Sequence, residues 1–253
     1  MPGILMSLYG VVTYAFFFAT FLYMVGFVGN LPLPKTVDSG VVGPVGEAVI
    51  VNLLLIGLFG LQHSVMARPA FKRWWTRIVP EPMERSTFVL ATTLVLVLLL
   101  WQWRPITEPL IWNIEQAAAI IAIKVVFWAG WGVLLLSTFL LNHFELFGLR
   151  QVYARLRGQT LPVQQFRTPL LYRHVRHPIY FGFLLSFWAT PQMTTGHLLF
   201  AIGNTIYILI GIYFEERDLV AHFGDRYRRY REQVNMLLPG PRKAPRQGGP
   251  VKE

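Results

Sequence analysis

The chain has 253 residues, of which 54% are hydrophobic, 15% aromatic and 14% charged, and its mean hydropathy is +0.45. Soluble domains carry roughly 25% charged residues, so composition alone identifies a membrane protein. The formal net charge of +10 suggests a nucleic-acid partner only in a soluble chain. Here the basic residues gather in particular loops, and no nucleic acid is expected. With no cysteine, disulfides, thiol redox chemistry and cysteine-ligated metals are excluded.

No basic stretch precedes the first apolar run, and no convincing cleavage site follows it, so residues 8–28 read as a spanning helix. At 1.5 Å per residue that run is long enough for a hydrocarbon core of about 30 Å. A Pro/Gly-rich loop at 30–44 leads to a second span at 45–65. The connection 66–85 holds Arg68, Lys72, Arg73, Arg77 and Arg85 beside Trp74 and Trp75, a composition suited to the bilayer interface. The third span, 86–103, ends at Trp101, Trp103 and Pro105, and the fourth covers 117–141. A polar segment, 142–176, then precedes an apolar hairpin with arms at 178–190 and 194–214 and with Pro191 and Gly196 near its tip. The first arm is short for a full crossing.

The expected fold is therefore all-α: a polytopic membrane bundle of about six hydrophobic helices, followed by a C-terminal amphipathic helix. Loops 66–85, 142–177 and 215–253 contain five, six and nine of the 23 lysines and arginines, and the six-span reading puts all three on one face. The opposite loops hold only Lys35 and Arg104. The crowded face is cytoplasmic, with both termini inside an inner (cytoplasmic) membrane. Lys124 lies seven residues into the fourth span, where it is either a functional ionisable group at membrane depth or a side chain that snorkels to the interface. The tail 239–253 reads as disordered.

Chemistry concentrates around the hairpin. The histidines are His63, His143, His174, His177, His197 and His222. No His-x-x-x-His pair and no His-His dipeptide occurs, so no metal is expected. His63 and His197 read as polar residues near helix ends. His174 and His177 share a face if their approach segment is helical. Pro178 biases His177 away from helical geometry, which suits either a helix start or a backbone break facing a ligand. Tyr180 follows, then Gly182, which permits close approach. Glu215 and Glu216 point in different directions on a helix, so that one can pair with an arginine while the other faces a ligand. A solvated helix end explains them equally well. The basic, aromatic segment 217–233 fits membrane-surface packing or ligand binding.

In combination, Arg176-His177-Pro178-Ile179-Tyr180, an apolar hairpin, Glu215-Glu216-Arg217-Asp218-Leu219 and Phe223-Gly224-Asp225-Arg226-Tyr227-Arg228-Arg229-Tyr230 resemble the isoprenylcysteine carboxyl methyltransferase-like (NnrU-related) integral membrane methyltransferases. The resemblance covers roughly residues 142–238. It implies an S-adenosyl-L-methionine site at the cytoplasmic face, with Arg176, His177, Pro178, Tyr180, Glu215 and Glu216 contacting the cofactor, and with Arg173, His174 and Gly182 beside them. It also divides the chain into a scaffold (1–141), a methyltransferase-like region (142–238) and a tail (239–253).

The run from Asn142-His143-Phe144-Glu145 to Arg150-Gln151-Val152 looks like the bacterial methanethiol S-methyltransferases, which implies a small volatile thiol as acceptor. A thiol must lose its proton to become nucleophilic. His143 is the candidate base or relay, held by Glu145 or Asn142, with Arg150 or Arg173 stabilising the anion. The alternative is that His143 merely ends the fourth helix. Tyr180, Trp128 or Phe144 offers an aromatic face to a sulfonium. Membrane lipid is the expected surrounding, and no obligate protein partner is evident. A prenylcysteine or phospholipid acceptor, an NADPH-dependent membrane reductase and a non-catalytic NnrU-like protein are the competing readings.

Overall fold

A computed structural model describes residues 3–161 and 165–241. Five helices are long and apolar enough to cross a membrane: α1 (Gly3–Val28), α2 (Val45–Ala67), α4 (Glu81–Gln102), α5 (Ala117–Leu141) and α9 (Thr195–Phe223). Between them lie α3 (Pro69–Trp75), α6 (His143–Leu146), α7 (Leu149–Leu156), a 3₁₀ turn at Leu170–Arg173, and α8 (Pro178–Trp188), with α10 (Asp225–Gln233) at the end. Two short strands, β1 (Leu110–Asn113) and β2 (Gln192–Thr194), pair antiparallel. The expected all-α membrane bundle is the observed architecture. The tail expected to be disordered lies, from residue 242 onward, outside the described residues.

The first arm of the hairpin, short for a crossing by its sequence, is α8 with 11 residues, about 16 Å of helix. Two boundaries differ from the sequence reading. The second arm runs past residue 214 to Phe223, so Glu215 and Glu216 sit inside a continuous helix and not at its end. The approach to Pro178 is a 3₁₀ turn and an extended segment, so no helical face joins His174 to His177.

The helices close into a ring in which α1 packs on α4, α4 on α2, α2 on α9, α9 on α8 and α8 on α5, and Phe21 of α1 meets Trp131 of α5 edge-on. Apolar side chains such as Val12, Leu54, Ile121 and Val125 remain exposed on the outer surface, as lipid-facing positions should. One core draws Phe27, Trp103, Trp131, Phe187 and Phe200 together from both the first four spans and the hairpin. α7 folds back along the N-terminal ends of α1 and α4. At the opposite end, the buried Asn52 side chain donates to the Arg104 carbonyl at 2.8 Å and accepts from its amide at 2.9 Å, fastening α2 to the end of α4.

The tightest contact is between α5 and α8. A Cβ at Gly182 would stand 2.6 Å from the Gly130 carbonyl oxygen, and one at Gly130 would stand 2.4 Å from Ser186 Oγ. Lipid tails are as apolar as leucine, so helices in a bilayer gain most from close van der Waals fit between small residues. Ser186 adds a hydrogen bond from Oγ to the Phe127 carbonyl at 3.1 Å. Gly182→Leu should therefore force the pair apart and cost about 3 kcal/mol or more, at the upper end of overpacking penalties. Gly132→Leu, where nothing lies within 4 Å of the added carbon, should stay near wild type; thermal unfolding of both variants in detergent checks the contrast.

Candidate functional site

Pro178 supplies the first helical residue of α8, where its missing N–H costs nothing, and leaves His177 as a non-helical N-cap. This places His177 and Arg176 at the open mouth of the hairpin, opposite the last third of α9. The two polar patches meet there. Arg176 Nε donates to Glu216 Oε1 at 2.7 Å, His177 Nε2 lies 3.0 Å from the same oxygen, and the Tyr180 hydroxyl donates to Glu215 Oε2 at 2.9 Å. A carboxylate only accepts, so His177 carries its hydrogen on Nε2. Its Nδ1 faces Glu215 Oε2 at 3.8 Å.

The C-terminal segment clasps this cluster. Arg176 Nη1 donates to the carbonyls of Arg231 (2.9 Å) and Val234 (2.6 Å). The Arg176 and His177 amides donate to the carbonyls of Asn235 and Met236 at 2.9 and 3.1 Å. Beneath it the Tyr230 hydroxyl donates to the Tyr172 carbonyl at 2.6 Å, and the Tyr172 hydroxyl to the Ser137 carbonyl on α5 at 3.4 Å. Burial, and then the Glu216 charge, push the Tyr227 hydroxyl well above the ordinary tyrosine value, so it stays protonated. That hydroxyl is buried and has no hydrogen-bond partner among the described residues. Glu215 keeps 43% of its side chain exposed, whereas Glu216 keeps 12%. One glutamate is thus committed to the fold and its neighbour is open to a ligand.

The remaining expected residues are distributed unevenly. Arg173 and His174 are exposed, and no ion pair to either occurs among the described residues. Gly182 does permit a close approach, but α5 makes it. Lys124 and Trp128 lie on the exposed face of α5. His143 is buried, stacked on Phe139 with ring centroids 4.4 Å apart. It is not held by Glu145 or Asn142. Glu145 instead binds Arg150 at 2.6 Å and the Asn142 amide at 2.9 Å.

The partners of His143 are two residues that the sequence did not single out. Thr138 Oγ1 donates to the Leu135 carbonyl at 2.7 Å, so it accepts from His143 Nδ1–H at 2.8 Å. His143 Nε2 is left to accept from the Tyr14 hydroxyl at 2.7 Å. A hollow of about 20 Å³, walled by Phe17, Phe21 and Phe147, touches the ring. An open groove of about 400 Å³ between α1, α6 and α7 is lined by Asn142, Phe144, Arg150 and Tyr153.

Two more polar contacts escaped the sequence reading. Tyr207 on α9 hydrogen-bonds His63 Nδ1 on α2 at 2.8 Å, and Arg68 pairs with Asp218 at 2.9 Å. His197 is buried and bonds the Phe187 carbonyl at 2.9 Å. No single-sequence pattern links such residues, because each pair is joined only when the ring of helices closes.

Burial holds the His143 imidazole below the ordinary histidine value. A group whose folded value is depressed contributes stability that is complete above its unfolded value of about 6.5 and is lost as pH falls below it. The melting midpoint should therefore drop between pH 7 and pH 5, and the drop should be smaller in His143→Gln. Equal pH slopes in thermal melts of the two proteins would show that no buried neutral imidazole is present.

The chain is 55% identical over 241 residues to the methanethiol S-methyltransferase of Mycobacterium tuberculosis, an alignment covering 95% of this chain and 98% of that protein. It is 56% identical over 232 residues to methanethiol S-methyltransferase 2 of Bradyrhizobium diazoefficiens, covering 92% and 89%. Nurim of Danio rerio is more distant, 30% identical over 183 residues that cover 70% of this chain and 66% of nurim. No family model and no solved structure matches. With half or more of the residues shared along nearly the whole chain, the protein belongs to the methanethiol S-methyltransferase family.

Proposed function

We propose that the protein is a multi-pass inner-membrane enzyme that transfers the methyl group of S-adenosyl-L-methionine to methanethiol, giving dimethyl sulfide, with its active site and both termini on the cytoplasmic face. The observation that carries this reading is the meeting of Arg176, His177 and Tyr180 with Glu215 and Glu216 across the hairpin. The donor set fits the cofactor. A half-exposed carboxylate, a buried tyrosine hydroxyl without a partner among the described residues and the Tyr180 ring together suit a ligand with hydroxyl and ammonium groups beside a sulfonium.

When bound, S-adenosyl-L-methionine supplies a methyl group on a positively charged sulfur. The residues of the chain supply position and field. Glu216 neutralises Arg176 and orients His177. Glu215, steadied by Tyr180, presents its free edge to hydroxyl or ammonium groups. The Tyr180 ring favours a nearby cation by about 0.5–2 kcal/mol. Holding two reactants in line lowers a bimolecular barrier by up to about 7–11 kcal/mol, and the clasp of residues 234–236 over Arg176 and His177 fixes the mouth where that alignment is set. In this reading His143, with both nitrogens engaged, positions the inner end of α5 against α1. Arg150 and Glu145 border the lateral groove.

Purified protein given S-adenosyl-L-methionine and methanethiol should release dimethyl sulfide into the headspace, measurable by gas chromatography. Removing one member of a buried charge pair strands the other at a cost of about 3–5 kcal/mol. Glu216→Ala should accordingly weaken cofactor binding, read by calorimetry, at least tenfold. Cofactor binding without any dimethyl sulfide would move the acceptor to another nucleophile, and absence of cofactor binding would end the proposal.

A further inference from the structure

Arg85 has no role in the site described above, and its surroundings are unusual. It stands one turn into α4, half-buried, with its guanidinium 4.9 Å over the Phe88 ring. Its Nε donates to the Leu146 carbonyl at 2.6 Å. Among the described residues its two terminal nitrogens make no hydrogen bond, and no carboxylate pairs with it within 4.0 Å. A guanidinium withdrawn from water without an anion is costly, and an anion placed against its terminal nitrogens would offset that cost.

The same Phe88 ring meets the His63 imidazole edge-on at 5.0 Å, and Phe59 stacks on the other side of that imidazole at 5.9 Å. Arg85 and His63 therefore share one aromatic wall. His63 Nδ1 is taken by Tyr207, while its Nε2 has no hydrogen bond among the described residues. Gly60, one turn earlier on α2, leaves room for the Tyr207 ring, since a Cβ there would stand 3.0 Å from it. Tyr207 is within electrostatic reach of Glu215 and Tyr180, so this group of side chains adjoins the cluster assigned to the donor. The other charges facing it are Arg68 (paired with Asp218), Lys72 on α3 and Glu84 on α4.

We infer that Arg85, His63 and the Phe59–Phe88 wall form the subsite for the acceptor sulfur, with the free face of Arg85 holding it as a thiolate. This rests on the methyltransferase reading above. The thiol S–H bond breaks and its proton passes to His63 Nε2, with Nδ1–H bonded to Tyr207. The thiolate lone pair forms the new S–CH₃ bond as the donor's sulfonium–CH₃ bond breaks, and that electron pair returns to the donor sulfur, leaving a neutral thioether. The proton then moves on to water. Aromatic faces next to the sulfur add about 0.3–1.5 kcal/mol each.

The test is a kinetic and binding comparison of wild type, Arg85→Gln and Arg85→Lys. Arg85→Gln should lower kcat/KM for methanethiol about 100-fold at pH 7. Its deficit should shrink as rising pH raises the thiolate fraction in solution, while the Kd for S-adenosyl-L-methionine, measured by calorimetry, stays within about twofold of wild type. Arg85→Lys keeps a point charge and should recover most of the rate. Thiocyanate, an unreactive soft anion, should compete with methanethiol in the wild type and in Arg85→Lys but not in Arg85→Gln. An unchanged kcat/KM in Arg85→Gln, a cofactor Kd that worsens in step with turnover, or a lysine variant as impaired as the glutamine variant would overturn the inference. A wild type that makes no dimethyl sulfide would instead overturn the reading on which it rests.

Discussion

The protein depends on one ion pair formed between distant parts of the chain. Glu216 accepts from both Arg176 and His177, and the Arg176–Glu216 pair is close to nine-tenths withdrawn from solvent. Exposed salt bridges contribute little, but a withdrawn pair is costly to break because either partner alone is left desolvated. The bond therefore sets how α8 and α9 meet at the mouth of the hairpin. It also fixes where the chain after α10 can lie, since the remaining Arg176 donors take the carbonyls of Arg231 and Val234. Position at the mouth of the hairpin follows from this pair, and Glu215, one residue away, inherits an orientation toward open space.

The rest of the bundle holds that mouth in place. α5 is pressed against α8 through Gly130, Gly182 and Ser186, which makes α8 a ledge fixed to a full spanning helix. Tyr172 ties the approach segment to the Ser137 carbonyl of α5 and to Tyr230 of α10. The close fit near the core and the polar clasp at the surface act on the same few residues. A change in helix spacing would accordingly be felt in the carboxylate geometry.

Much of this was legible in the chain itself. The apolar runs gave a bundle of about six hydrophobic helices, five of them long enough to cross a membrane and the sixth the short α8. Taken singly, the Arg-His-Pro-x-Tyr and Glu-Glu motifs read equally well as a helix start and a solvated helix end, and it was the family resemblance of the two in combination that put them on one site. Other features depend on the order of the ring. Tyr14 meets His143, and Tyr207 meets His63, only because α1 curls toward the end of α5 and α2 lies beside α9. Tyr14 is polar at just one atom and sits in an otherwise apolar run, so neither periodicity nor charge set it apart. Glu145 beside His143 suggested an orienting pair, yet the short helix α6 turns Glu145 toward Arg150. Proximity in sequence was misleading where the chain changes direction.

The short first arm of the hairpin follows from the same physics. From Thr195 to Glu216, α9 climbs about 32 Å, whereas α8 returns only about 16 Å. Residues 189–194 must make up the difference in extended form, at a depth where unpaired backbone groups are prohibitive unless protein covers them. Three of the carbonyls at this break have partners. His197 Nε2 donates to the Phe187 carbonyl left at the end of α8, Trp112 Nε1 donates to the Thr190 carbonyl, and the Ile114 amide donates to the Pro191 carbonyl. β1 pairs with β2 beyond them. His197, Trp112 and the strands therefore replace the missing helical turns. They let α8 be short enough to start at the Glu216 pair and stop where the Gly130 contact ends.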